Sequence, residues 1–392
     1  MLRQNKAYVA VALTHFTVDV LNNSRTLLIA ILALSLGLSN AQVALVALLY
    51  NVGSAVMQPL FGWLADRFGA RWLVLGGIGW MILFYGLAAL AGDWLALVAL
   101  TVAGVGSGAF HPTGTMVASQ ASTTRRTQAT AYFFTAGQLG LFLGPVFAGI
   151  LLQLRGRPGV ILLPLLALIV FLLDWRWLPP TAPPHGHDHA SSTPARTRAA
   201  PRGFLALLLF VIIISANTVS ISTLTFAPKL FTEAGYAAGY VGWLTGLFML
   251  GSAVGGIVGG HLADRRGGKW PILLGMSAGI LPAYFYIPNH GIVQLLLLLL
   301  AGFFVGMPHS VLVIQVQSML PGRQALASGL TLGVMFFGGS VGSTVVGALA
   351  DQVGLATALQ RTAFVLFAAL LAALLYPARK RAPVVVAASP PS

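Results

Sequence analysis

Gly62-Trp63-Leu64-Ala65-Asp66-Arg67-Phe68-Gly69-Ala70-Arg71 is a polar, glycine-bounded interruption between two apolar runs. It recurs as Gly260-His261-Leu262-Ala263-Asp264-Arg265-Arg266-Gly267-Gly268-Lys269. Asp66 and Asp264 stand 198 positions apart, and the same step carries Asp19 to Asn217, His111 to His309, Arg125 to Arg323 and Gly144 to Gly342. A step that holds through five pairs marks two homologous halves, each half carrying one copy of the interruption.

The sequence around the repeat is apolar. Of 392 residues 57% are hydrophobic and only 8% charged, with a mean hydropathy of +0.86. A soluble domain carries about 25% charged residues, and one membrane helix takes about 20 mostly apolar residues. The 45 glycines and 21 prolines are of the kind that membrane helices tolerate. Hydropathy predicts an all-α membrane protein of twelve spans, near 8–36, 42–64, 72–91, 94–119, 128–154, 159–178, 204–228, 238–262, 270–289, 292–319, 324–350 and 359–377. The first run is too long for a signal peptide and contains Asp19, Asn22, Asn23 and Arg25, so it reads as a retained helix.

Charge sets the orientation. With the N-terminus inside, 17 of the 22 Lys and Arg residues face the cytoplasm, four (Arg155, Arg157, Lys229 and Arg361) face outward, and Arg25 lies within a span. Both termini are therefore expected on the cytoplasmic side of the cell (inner) membrane. The net charge of +14 is the sum of these loops, with no basic, aromatic-interleaved face for nucleic acid. The absence of cysteine excludes disulfides, thiolate metal sites and thiol catalysis. The expected domains are a six-helix bundle over 1–179, a Pro-, Ser- and His-rich cytoplasmic linker over 180–203, a second bundle over 204–378 and a tail over 379–392. Two such halves are the architecture of a secondary transporter with its site between them near the midplane.

At these residues the chain resembles the major facilitator superfamily over nearly its whole length. The carrying motif is Gly62-x-Leu64-Ala65-Asp66-Arg67-x-Gly69-x-Arg71, with its degenerate copy at Gly260, Asp264 and Arg265. Gly140-x-x-x-Gly144-Pro145-x-x-Ala148-Gly149 in span 5 resembles the antiporter signature of drug-efflux members, with Ala148 in place of one glycine. Thr14-His15-x-x-x-Asp19 and Gly106-Ser107-x-x-Phe110-His111-Pro112 are similar to the fosmidomycin-resistance efflux group. Arg25 and the stretch Thr113–Met116 depart from that group's pattern. The resemblance implies export of a small drug-like compound by proton-coupled antiport, and a seal or pivot between halves at the span 5 motif.

The loop motif has its own physics. Gly62 and Gly69 allow a tight turn and close helix approach, while Asp66 can face a helix N-terminus or pair with Arg67, Arg71 or a partner helix. Such a cluster would bias the inward–outward equilibrium; the plainer alternative is a hairpin capped by solvated charges.

Asp19 is the only one of eight acids read as lying well inside a span. A membrane carboxylate is costly and functional by default. His15 and Asn22 share its helical face, so Asp19 with His15 is the candidate proton-coupling site, against a purely structural hydrogen-bonded acid. His111 and His309, each beside a proline at matching positions, are candidate cavity residues. Arg25 could attract an anionic cargo, snorkel to the interface or pair with Asp19. Asn51, Gln138, Asn217 and Gln315 complete the expected cavity.

His185-Gly186-His187-Asp188-His189 resembles a metal tract but reads as solvated in a flexible loop. No catalytic constellation, metal site or cofactor is expected. The expected partners are a small-molecule substrate, protons and the lipid bilayer, for a monomeric protein. The alternatives are an importer of a small organic anion, and a non-transport membrane receptor or lipid-handling protein.

Overall fold

The computed structural model describes residues 5–120, 126–179, 202–319 and 333–377, without the side chains of residues 66, 119, 120, 126–130, 202, 317 and 318. Among the described residues there is no strand. The helices are α1 (Lys6–Ser35), α2 (Asn40–Phe68), α3 (Ala70–Leu90), α4 (Asp93–Gln120), α5 (Arg126–Gly159), α6 (Leu162–Trp177), α7 (Arg202–Glu233), α8 (Ala238–Arg266), α9 (Lys269–Ala278), α10 (Ile280–Phe285), α11 (Gly291–Gly306), α12 (His309–Met319), a π-turn (Val334–Gly338), α13 (Gly339–Val353), α14 (Leu355–Thr362) and α15 (Val365–Leu375). The 185–189 tract, Arg125, Arg323, most of the linker and the C-terminal tail lie outside the described residues.

Among the described residues, ten helical stretches are long and apolar enough to cross a membrane. The expected sixth and ninth spans fall short of that length as unbroken helices. α6 has 16 residues, about 24 Å at 1.5 Å per residue against a hydrocarbon core of about 30 Å. The ninth divides at Gly279 into α9 and α10. Span 10 also divides, because Pro308 separates α11 from α12, whereas Pro112 sits inside a continuous α4.

The 198-residue step reappears in the backbone. α2 and α8 begin and end 198 positions apart. So do the left-handed turns Gly37 and Gly235, Gly69 and Gly267, and Gly156 and Gly354. Gly69 and Gly267, at φ 88° and 91°, link α2 to α3 and α8 to α9. Any side chain there would cost about 1–2 kcal/mol, which explains both copies of this glycine.

Gly62 does something else. A Cβ at Gly62 would meet nothing within 4 Å, and one at Gly260 only the Ser310 hydroxyl at 3.7 Å. The close approach expected at Gly62 is absent, since the turn itself is made by Gly69. The basic ends of the two motif copies bind within their own halves. Arg71 donates to the Trp175 carbonyl at 2.7 Å, near the end of α6. Lys269 donates to the Leu374 carbonyl at 2.7 Å, near the end of α15. A cation at a helix C-terminus meets orphan carbonyls and the negative end of the dipole. Arg67 is exposed, 5.6 Å from the Trp63 and Phe68 rings. Asp264 and Arg265 are exposed, and Asp264 makes no ion pair among the described residues.

Small residues set the helix spacing, as packing without a hydrophobic driving force requires. Gly104, Gly106 and Gly108 of α4 abut the carbonyls of Tyr50 (2.6 Å to an added Cβ), Gly77 (2.5 Å) and Ser54 (2.5 Å). This run is a packing stripe on α2 and α3. Gly140 and Gly144 of α5 lie on the Phe16 and Val20 carbonyls of α1, and Gly149 lies on Ala238 of α8. The span 5 motif therefore binds α5 to its own half through two glycines and to the other half through the third. Further contacts between halves run along the same end of the molecule. Gly242 abuts the Pro145 carbonyl, and Gly347 of α13 approaches the Asn40 carbonyl of α2, 2.8 Å from an added Cβ. Deeper, Asn51 donates to the Ser340 hydroxyl at 2.8 Å. This sealed end is the one opposite the Gly62–Arg71 turn.

Candidate functional site

α1 carries its polar residues because most can be satisfied locally or by a packed neighbour. Thr17, Ser24 and Thr26 return their hydroxyls to carbonyls three or four residues back, at 2.8 Å. His15, Asp19 and Asn22 lack that option and point together toward α4. There Asp19, 5% exposed, is enclosed by polar groups from two helices.

Its carboxylate meets three partners. His15 Nε2 lies 3.3 Å from Oδ2, His111 Nε2 lies 3.4 Å from Oδ1, and Asn22 Nδ2 donates to Oδ1 at 2.8 Å. Asn22 also donates to Ser107 at 3.1 Å and accepts from the Tyr50 hydroxyl. The Tyr50 ring in turn carries the Arg25 guanidinium 3.6 Å above its centroid. One connected network thus runs from Arg25 through Tyr50 and Asn22 to Asp19 and both histidines.

The ring orientations define where protons sit. His15 Nδ1 is 2.8 Å from the Phe133 carbonyl and His111 Nδ1 is 2.8 Å from the Ser107 carbonyl. A carbonyl only accepts, so each Nδ1 carries hydrogen. Each Nε2 therefore faces the carboxylate either as a protonated donor or as a lone pair against lone pairs. A proton at either contact replaces that repulsion with a hydrogen bond to the carboxylate. His15, Asp19 and His111 each present a donor atom within 4.8 Å of the others, the one such grouping among the described residues. Access is graded: the His15 and Asp19 side chains are 3% and 7% exposed, His111 28%.

Packing holds the cluster rigid. His15 stacks on Phe133 at 4.1 Å and meets His111 edge-on at 5.3 Å. A Cβ at Gly137 would strike His15 and come within 2.7 Å of Asp19 Oδ2, so that glycine makes the room. Phe110 and Phe133 are fully buried, whereas Phe134, Phe336 and Phe337 are exposed.

The other expected cavity residues distribute differently. Asn217 donates to the Ile213 carbonyl of its own helix at 2.8 Å and lines a small cleft with Ser220, Ser252, His309 and Met335. This is the counterpart of the Asp19 cluster, without an acid. Arg25 does not pair with Asp19, and its Nε and one terminal nitrogen are buried with no hydrogen-bond partner. Gln138 is exposed. Gln315 is not in the cavity: it accepts from Tyr376 at 3.0 Å and packs on Gly268, inside the second half.

Sequence reasoning missed two features. Gly137 is a site residue with no pattern of its own, seen only because a Cβ there would strike His15. Asp174, read as a span-end acid, is fully buried and accepts from Thr14 at 2.5 Å, with Oδ1 unpartnered. Hydropathy cannot separate a helix end facing water from one covered by a neighbouring helix.

The profile of the Major Facilitator Superfamily matches residues 11–238 and 208–391. The fosmidomycin resistance protein of Escherichia coli K12 is 27% identical over 362 residues, covering 88% of this chain and 86% of that one. An uncharacterized MFS-type transporter, YfnC of Bacillus subtilis 168, is 28% identical, covering 94% and 92%. The class B tetracycline resistance protein of Escherichia coli is 26% identical, covering 72% and 73%. Among solved structures, a bacterial homologue of the human lysosomal transporter Spinster, inward-facing and unoccupied, aligns with a TM-score of 0.74 at 15% identity, over 95% of this chain and 97% of that one. The nucleoside transporter NupG aligns at 0.73 and 14% identity, over 94% and 99%. With the repeat, the helices and this family match in agreement, the chain belongs to the major facilitator superfamily and is a multi-pass membrane transporter.

Proposed function

We propose that this transporter is a proton-coupled antiporter that exports a small drug-like or anionic compound by alternating access. The observation that carries the reading is the Asp19 carboxylate held between His15 and His111. His111, the more open imidazole, takes up or releases the proton, and Asp19 holds the charge that makes binding favourable. His15 sets the affinity from the closed side. Asn22 and Tyr50 carry the change in charge to Arg25, so substrate and proton compete through one network.

The cargo class follows from Arg25 and from the second half. A guanidinium with unpartnered buried N–H groups favours a ligand bearing an anionic or strongly accepting group. The neutral cleft at Asn217 and His309 suits a hydrogen-bonding, uncharged portion of the same molecule. The named resistance proteins among the relatives support export. Loop charge supports an inner-membrane location with both termini cytoplasmic, and the two halves suffice as a monomer. The same Arg25 would serve an importer of an organic anion, so direction is part of the test.

A thermal-shift screen of purified protein identifies a ligand, which is then followed in vesicles with an imposed pH gradient. Uptake into vesicles acidic inside, driven by the gradient and abolished by an ionophore, is the expected result. Transport indifferent to the gradient would overturn the proton-coupled reading, and accumulation only in the same direction as the proton would favour import. Arg25→Gln is expected to raise KM about tenfold for an anionic ligand while changing kcat little, checked by initial rates against concentration. His15→Ala is expected to move the pH optimum more than the maximal rate, read from a pH profile of transport.

A further inference from the structure

The sealed end is closed by two matching helix caps, each supplied by the opposite half. α2 begins with Ser39 as its cap. Ser39 accepts from Gln42 N at 3.2 Å, and Gln42 Oε1 accepts from Ser39 N at 2.9 Å. That box leaves the N–H groups of Asn40 and Ala41 unbonded within the helix. Both are taken by Asp351, on α13 of the second half: Oδ1 accepts from Asn40 N at 2.8 Å and Oδ2 from Ala41 N at 3.0 Å. The Asn40 side-chain amide adds a third bond at 2.8 Å.

The second cap is the first moved by 198 positions. Gln153 of α5 accepts from Gly239 N, in the first turn of α8, at 3.1 Å. Gly239 and Gln153 correspond to Ala41 and Asp351. Here Ala237 at the helix N-cap has no side chain that could cap, so the other half supplies the acceptor. Gly239 is required for the approach, since a Cβ there would collide with Gln153 Oε1.

The charged cap is the stronger. Asp351 stands third from the end of its own helix, where the dipole repels a carboxylate. Closure moves its charge against the positive end of α2. Opening removes that attraction and leaves the repulsion uncompensated. Lys229 of α7 reinforces the contact from the second half: Nζ donates to Asn40 Oδ1 at 2.9 Å while pairing with Glu233 at 2.5 Å.

We infer that Asp351 and Gln153 are positioning residues of alternating access, holding the Asn40 end of the molecule shut by capping α2 and α8 across the two halves. Each opening of that end must uncap both helices. The inference concerns the conformational equilibrium and is independent of which group carries the proton.

The absence of cysteine makes the test direct. Spin labels at Gly92→Cys and Pro288→Cys report the sealed end by double electron–electron resonance. Labels at Arg176→Cys and Arg266→Cys report the other end. In the parent background the Gly92–Pro288 pair should show mainly the short distance. Asp351→Ala should shift the population about tenfold toward the long distance, with the Arg176–Arg266 distance changing in the opposite sense. Asp351→Asn, which keeps an acceptor, should restore part of the closure. Gln153→Ala should act like Asp351→Ala but more weakly, and Gln153→Glu should favour closure. A residue that merely stabilises the fold would lower the melting temperature without moving the two pairs in opposite senses, and that result overturns the inference. Unchanged distributions in both Asp351→Asn and Gln153→Ala overturn it as well, even if Asp351→Ala does not yield folded protein.

Discussion

Asp19→Asn should abolish substrate accumulation driven by a pH gradient, lowering it at least about a hundredfold to the level of empty vesicles. Asparagine keeps the shape, and its Oδ1 can still accept from Asn22, which donates to Asp19 at 2.8 Å. What disappears is the negative charge that both Nε2 atoms face, at 3.3 and 3.4 Å. The Nδ1 atoms of both histidines stay held by the Phe133 and Ser107 carbonyls. One unit charge moved through 100 mV carries about 2.3 kcal/mol, and a site that cannot load the charge cannot use it. Exchange of substrate without a gradient should persist, because asparagine keeps the volume packed against Gly137 and the contacts between the halves do not involve this side chain. The measurement is gradient-driven accumulation beside gradient-free exchange in the same vesicles. Accumulation that survives in Asp19→Asn would make Asp19 structural and move the coupling role to His111 or His309.

The second large effect is on stability. Gly144→Val is expected to destabilise the protein by more than about 3 kcal/mol, because the new side chain must enter space already occupied by the Val20 backbone of α1. α1 and α5 cannot separate without disturbing the cluster, since Gly140 and Gly137 of α5 press on the backbone beside Asp19 and on the His15–Asp19 contact itself. Loss of the monodisperse peak at a much lower temperature, followed by fluorescence-detected size exclusion, is the expected readout. Gly62→Ala is the matched control. Its position is helical and open, so replacement should be neutral or stabilising by up to about 1 kcal/mol. Equal losses for the two variants would show that the packing argument is wrong.

The amino-acid sequence by itself determined the membrane class, the repeat and the face shared by His15, Asp19 and Asn22. These follow from one-dimensional quantities: apolar length, a constant 198-residue step, and the angle between positions on one helix. Lipid makes them legible, because it forces every spanning segment to satisfy its own backbone and exposes each polar exception. The tertiary structure alone decided which exceptions meet. It brought His111 rather than Arg25 to Asp19, moved Gln315 out of the cavity, buried Asp174 at a helix end, and left Gly62 without the neighbour its spacing suggested. It also joined Asp351 to Asn40, and Gln153 to Gly239, across the two halves. Such contacts depend on how two helices rotate and slide against one another. That is fixed by where glycines let backbones touch, a property of pairs of surfaces that no single stretch of chain contains.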